Sequence, residues 1–320
     1  MKMKVTKLFY ADLDQNLYNL FQNEIKVTYF NKSDSYINQI KAVVNIGGYQ
    51  YQTGAAHFIE HLKFWKENNN LYDLMNYFGT IMNANTTEYE TNFLLYCSKE
   101  NTVSTLTNFT SYLLNHSYTI EEFNKEKKII LNEVKGYHSI LVDENEKLEY
   151  VKKIIGDENQ INDISKRYLE NLSSICYQKR NIHYYLIGDF SEYIHKSREI
   201  SMEKIELVVN SDLIIHDYDN TELFLKTLYF HINKFVNYYF QNKSLVVNFN
   251  KLYYTKKIHD IQLDDFRSYI ISYIVNVYED SDLLIEFLEN WKFTRGDFTK
   301  IGNLLEDQEK LSILLNEAFM

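Results

Sequence analysis

The stretch Thr53-Gly-Ala-Ala-His57-Phe-Ile-Glu60-His61-Leu-Lys-Phe64 places two imidazoles four positions apart with a carboxylate between them. Phe58, Leu62 and Trp65 recur around it at i, i+4 and i+7, so the segment from Gly54 to about Lys66 is expected to be a helix. On a helix, His57 and His61 share one face and both can reach a single ion. Glu60 lies near the same face but is directed differently. Two imidazoles leave a tetrahedral Zn2+ needing one more protein ligand and an open position for water. The order H-x-x-E-H is the inverse of H-E-x-x-H. A chance occurrence is expected in roughly a few per cent of chains with this much His and Glu, so the pentad needs support from other segments.

The third ligand has to come from elsewhere. Thr119-Ile-Glu-Glu122 is a capping box, a Thr N-cap with Glu three residues on, and it opens a long helix running to about Gly136 or beyond. Glu126 and Glu133 on that helix are two turns apart on one face, about 10 Å along the axis. One can ligate a metal while the other orients a ligand. Ile129, Ile130 and Val134 give the helix a buried side, and a carboxylate bordering it needs a partner.

The elements that must position these groups are legible in outline. Residues 25–31, 38–46, 80–86, 90–97 and 181–190 read as strands. Helices are expected at 71–78, with Gly79 just past the end, and at 101–115, 143–155 and 163–178. These make an α/β unit over 1–196. A shorter second unit, 197–320, starts again with strands at 204–210, 244–249 and 252–258 and helices at 221–241, 264–279 and 282–291. The apolar helix Thr221–Gln241 reads as a core helix.

Composition narrows the function classes. The formal net charge is −10, and no basic stripe with interleaved aromatics occurs, so nucleic-acid binding is not expected. Cys97 and Cys176 form no CxxC and read as buried small side chains rather than a disulfide framework. No apolar run of about 18 residues exists, so no membrane span is expected. The basic start leads into Tyr10-Ala-Asp rather than an apolar core, so it does not read as a signal peptide, and a bacterial cytoplasm is the expected compartment. The chain has no Pro and only nine Gly, the bias of an AT-rich genome. Its many Tyr and Phe are expected to fill cores.

Several blocks together resemble the pitrilysin/insulinase family of inverzincin metallopeptidases, which includes the mitochondrial processing peptidases. Gly47-Gly-Tyr-Gln followed by Thr53–Phe64 resembles the family's glycine-led strand and zinc helix. Gly79-Thr-Ile-Met-Asn83-Ala84-Asn85-Thr86 resembles its G-x-x-x-N-A-x-T strand. Glu126-x6-Glu133 resembles its downstream glutamate pair, and Asn181–Phe190 its domain-closing strand. The likeness spans residues 25–191. It implies an α+β metallopeptidase of two α/β lobes, with helices packed on mainly antiparallel sheets, the second lobe here being reduced. It also implies one Zn2+ held by His57, His61 and Glu133. Glu60 becomes the general base that takes a proton from the zinc-bound water, and Glu126 the support behind the ligands. Asn83 and Ala84 lie on an edge strand that holds the substrate as an added β-strand.

The departures lie in the second half. The family's second lobe usually supplies an Arg and a Tyr that help bind substrate. Tyr253 and Tyr254 are candidates for the Tyr, but none of Arg198, Arg267 and Arg295 sits in a matching context. Asn85 stands where the family often has an aromatic residue. The expected function is a zinc endopeptidase cleaving peptides or leader and unfolded segments, with maturation of a secreted peptide as its narrower form. The expected partners are a peptide substrate and a second chain, either another family member or a second copy. The alternative of a different class is a non-catalytic peptide-binding or assembly subunit that keeps the peptidase fold.

Overall fold

The computed structural model describes residues 2–140, 145–194, 198–199, 263–291 and 296–317. The chain divides into two compact units, Tyr18–Ile200 and a second made of Met1–Leu17 with Ser201–Met320. The strands are β1 (Leu17–Gln22), β2 (Ile25–Asn31), β3 (Ile37–Val44), β4 (Trp65–Lys66), β5 (Asn69–Asn70), β6 (Ile81–Thr86), β7 (Thr91–Ser98), β8 (Ile182–Gly188) and β9 (Arg198–Glu199). The helices of the N-terminal half are α1 (Lys2–Asn16), α2 (Ala55–Leu62), α3 (Leu71–Tyr77), α4 (Thr102–Leu113), α5 (Ile120–Ile140), α6 (Asn145–Ile155), α7 (Glu158–Asp163) and α8 (Lys166–Cys176).

Alternation of side chains across the strands decides how the unit Tyr18–Ile200 is layered. Ile40, Ala42 and Val44 of β3 recur every second residue, as do Phe93 and Leu95 of β7 and Tyr184 and Leu186 of β8, and all are buried in one core cluster with Phe58, Ile59 and Leu62 of α2. A period of two puts each set on one face of its strand. The sheet order is β6-β7-β3-β8-β2-β1-β9. β8 pairs parallel to β2 and antiparallel to β3, and β7 pairs antiparallel to both β3 and β6. The fold is therefore α+β, as expected, with β6 on an edge.

Helix α2 starts where only glycine fits. Gly54 has φ 82°, and a Cβ there would meet Ile161 Cδ1 at 2.5 Å and Ile155 O at 2.7 Å. The chain can thus enter α2 pressed against the end of α6 and against α7. Both cysteines are free and buried. The strands expected at 25–31, 80–86, 90–97 and 181–190 and the helices at 71–78, 101–115 and 143–155 appear within about two residues of their expected limits, the usual scatter of such ends.

Two elements differ from expectation. The helix read as Gly54–Lys66 stops at Leu62, and Trp65–Asn70 folds back as the β4–β5 hairpin. Its two loop residues, Glu67 and Asn68, have φ 52° and 63°, the left-handed pair of a type I′ turn that Asn favours. The helix expected at 163–178 is the shorter α8, which starts at Lys166 because Ser165 caps it by accepting from Tyr168 N, and the unexpected short α7 precedes it.

In the other unit, the helices Leu263–Glu279 and Ser281–Trp291 match expectation, and two more follow at Asp297–Glu306 and Gln308–Glu317. Asp14 of α1 accepts the N–H groups of Phe298 (3.0 Å) and Thr299 (2.8 Å), capping a helix whose own N-cap, Gly296, has no side chain to do so. Arg267 donates to Leu305 O and pairs with Asp264, both at 2.6 Å, while Arg198 lies on β9. The expected elements at 204–210, 221–241, 244–249 and 252–258, with Tyr253, Tyr254 and Arg295, lie outside the described residues.

Just past β8, Asp189 pairs with Lys99 at 2.6 Å. Lys99, with the Ser191 hydroxyl and N–H, lowers the Asp189 carboxyl to about 2. A depressed carboxyl contributes stability above its unfolded value, about 4, and loses that contribution as pH falls from there towards 2. Lys99→Met is expected to reduce the unfolding midpoint at pH 6 while leaving it nearly unchanged at pH 2, read by denaturant titration at both values.

Candidate metal centre

Helix α2 is amphipathic with a difference: Phe58, Ile59 and Leu62 enter the core, while His57, Glu60 and His61 turn towards α5 and β6. The His57 and His61 rings meet edge to face at 4.7 Å. One ligand atom from each of His57, Glu60 and His61 falls within 4.8 Å of the others. From α5, Glu133 Oε2 approaches His57 Nε2 at 3.7 Å and His61 Nε2 at 3.6 Å. These separations are too long for hydrogen bonds. They match the ligand-to-ligand edges of about 3.4 Å that a tetrahedral shell with bonds near 2.1 Å requires.

The imidazoles are prepared as ligands. Burial, and then the charge of His61, push His57 down to about 3, so it is neutral at physiological pH. Its Nδ1 is buried without a hydrogen-bond partner among the described residues. His61 Nδ1 lies 2.9 Å from Glu126 Oε2. That contact places the proton on Nδ1 and leaves the Nε2 lone pair facing Glu133. Burial opposes protonation of His61, but the hydrogen bond with Glu126 and the charges of Glu133, Glu60 and Glu126 outweigh it and raise its pKa. Burial also raises the half-buried Glu133, with His61 opposing. Two neutral-capable imidazoles, each with its Nε2 near Glu133, and that carboxylate form a donor set that suits zinc.

Glu60 stands apart from these three. Burial pushes it up to about 7 against the hydrogen bond from Thr86 and the charge of His61, with Glu133 adding to the rise. Thr86 Oγ1 on β6 donates to Glu60 Oε2 at 2.6 Å. A carboxyl poised near 7 can take up and return a proton at physiological pH.

Strand β6 borders the site along its outer edge. Met82, Ala84 and Thr86 are half-buried and alternate with exposed Ile81, Asn83 and Asn85. The Ala84 N–H donates to the Asn83 side-chain carbonyl at 2.9 Å. A main-chain donor of the edge strand is therefore held by its own neighbour. The adjoining cleft, about 550 Å³, is lined by the four site residues and on one side by Phe64, Trp65, Tyr72, Ile129 and Tyr137. Phe64 and Tyr72 stack at 4.5 Å.

Helix α5 carries more of the site than its sequence indicated. Glu122 completes the expected capping box, accepting Thr119 N at 2.7 Å while Thr119 Oγ1 accepts Glu122 N at 3.1 Å. Its other oxygen accepts the Asn68 N–H of the β4–β5 turn at 2.7 Å. One turn on, Glu126 accepts the Trp65 indole N–H at 2.6 Å. Along the chain Trp65 reads as an apolar helical position and Thr86 only as part of a motif. Neither partner was visible along the chain, although the Glu122–Glu126 spacing of one turn does predict a shared face. The C-cap of α2 is anchored separately: buried Lys63 donates to Asn115 O (2.5 Å) and Ser173 Oγ (2.8 Å).

This helix-backed, edge-exposed His/Glu cluster is a candidate metal centre on an α+β scaffold. Residues 39–155 match the family model described as Insulinase (Peptidase family M16). Over 149 residues it is 29% identical to a Bacillus subtilis protein provisionally named the zinc protease AlbF, covering 42% of this chain and 34% of that one. Against the protein of the same name from strain 168 it is 35% identical over 85 residues, covering 27% and 20%. The match thus spans about a third or less of those relatives' length. Among solved structures, an M16-like peptidase from Alicyclobacillus acidocaldarius, also provisionally assigned, aligns with TM-score 0.50 and 19% identity over 55% of this chain and 47% of that one. That likeness is one of fold.

Removing the Glu122 carboxylate strands two backbone donors at once. Glu122→Ala is expected to destabilise the protein by about 2 kcal/mol, more than the ~1 kcal/mol of an ordinary N-cap loss. Urea unfolding of the two proteins measures the difference.

Proposed function

We propose that this protein is a zinc-dependent endopeptidase acting on peptides or extended, unfolded segments. The observation that carries the reading is the approach of Glu133 to both His57 and His61, at 3.7 and 3.6 Å, with buried Glu60 beside them. His57, His61 and Glu133 would hold the metal, and Glu126 would orient His61. A bound zinc ion supplies Lewis acidity, polarising the scissile carbonyl and acidifying water. Glu60 accepts a proton from the attacking water and later delivers it to the leaving amine, with Thr86 fixing its carboxyl between the two events. An extended substrate pairs with the outer edge of β6, displacing Asn83 from the Ala84 N–H. Main-chain pairing of this kind reads extension more than sequence, and the aromatic side of the cleft takes an apolar side chain.

In its narrower form, the activity removes a leader from a peptide that is then secreted, within a bacterial cytoplasm. Residues 1–196 hold the chemistry and 197–320 form a reduced second domain. No helix among the described residues is long and apolar enough to cross a membrane. The second chain implied by the family resemblance, a related subunit or another copy, would complete the substrate wall. Light scattering after size exclusion, alone and with a related subunit, tests this: a monomer with full activity contradicts it.

The direct test compares wild type with Glu60→Gln. Each is expected to bind about one zinc per chain, and peptide cleavage is expected to fall by at least about 100-fold only in the variant. A metal-free wild type refutes the zinc reading, and equal cleavage refutes the role of Glu60. A second variant, Ala84→Pro, deletes the N–H that donates to the Asn83 side chain on the edge strand, where Pro is tolerated. It is expected to keep the zinc and the fold while kcat/KM for an extended peptide drops.

A further inference from the structure

The indole of Trp65 does more than line the cleft. Its Nε1–H donates to Glu126 Oε1 at 2.6 Å, and the other oxygen of the same carboxylate meets His61 Nδ1 at 2.9 Å. Glu126 and Trp65 are both buried, at 6% and 9% exposure. A buried carboxylate with one oxygen unpaired is costly, and its torsion is free to turn so that whichever oxygen suits the remaining donor does the pairing. With the indole in place, one oxygen is occupied and the other is fixed towards His61.

Trp65 is itself held at its backbone from two directions and at its ring from a third. Its strand pairs with Asn70 across the hairpin, and Asn115 Nδ2 donates to the Trp65 carbonyl at 3.1 Å. Lys125 Nζ lies 4.3 Å from the ring centroid, in the range of a cation–π contact. The hairpin tip is tied to Glu122, one turn before Glu126 on the same helix. The hairpin and α5 are therefore joined at two successive turns, and the second joint is the one that reaches the imidazole.

We propose that Trp65 is a positioning residue for the metal centre, orienting the Glu126 carboxylate that in turn sets the ring and tautomer of His61. The proposal rests on the zinc-site reading above. Partners at this remove from a metal typically change its affinity by 10- to 100-fold. Phenylalanine keeps the ring and the pocket wall and deletes only the donor.

The test is zinc affinity, measured by competition with a chromophoric chelator, for wild type, Trp65→Phe, Glu126→Ala and the double variant. Thermal unfolding of the metal-free proteins serves as a control for a purely structural effect. Trp65→Phe is expected to weaken zinc binding by about 10-fold or more with little change in metal-free unfolding. On the Glu126→Ala background, the same substitution is expected to add nothing, because the indole acts through that carboxylate. Unchanged affinity in Trp65→Phe, or an equal loss in both backgrounds, overturns the role of Trp65 while leaving the zinc site standing. A wild type that binds no zinc overturns the site itself.

Discussion

The face that α5 turns to the hairpin and to α2 is a row of three carboxylates, and the rest of the site depends on how they are paired. Glu122 closes the helix start and holds the turn of the β4–β5 hairpin. Glu126 joins the indole of Trp65 to His61, and Glu133 faces both imidazoles. Burying carboxylates is unfavourable unless each finds donors or a cation. Glu122 and Glu126 have theirs within the protein. Glu133, half-exposed and too far from either ring for a hydrogen bond, has its remaining partner to gain from a metal. The same row that fixes the hairpin thus leaves one position incompletely satisfied at the open end of the cleft.

Helix α2 meets this row because glycine lets it. At Gly54 the left-handed backbone and the contact with Ile161 set where the helix begins, and with it which residues face α5. Lys63 fixes the other end through Asn115 and Ser173. Between these anchors, one face of α2 enters the core and the other presents His57, Glu60 and His61. β6 contributes from the remaining side, where the Thr86 hydroxyl reaches Glu60. Glu60 is thereby held by a different element from the one that holds the ligand candidates. Such a separation suits a group that must move a proton while its neighbours stay fixed.

Much of this was legible in the residues. The His pair, Glu60, the downstream glutamates, the Thr119–Glu122 capping box and the sheet strands follow from spacing and alternation, which are local properties. The hairpin was not, because Phe58, Leu62 and Trp65 continue a helical period and the break at Leu62 comes from the turn at Glu67–Asn68 and its tether to Glu122, a contact 54 residues along the chain. The indole–carboxylate and hydroxyl–carboxylate contacts, at separations of 61 and 26 residues, are of the same kind. Local period predicts which face a residue takes on its own element, and tertiary pairing decides what stands opposite.

The central claim is that His57, His61 and Glu133 form one zinc shell. Zinc-edge X-ray absorption of the loaded protein tests it most directly. The arrangement predicts two imidazole scatterers and additional oxygen at about 2.0–2.1 Å, with no sulfur near 2.3 Å, and loss of one oxygen scatterer in Glu133→Ala. A shell containing sulfur, a single imidazole, or a spectrum unchanged in Glu133→Ala would contradict it.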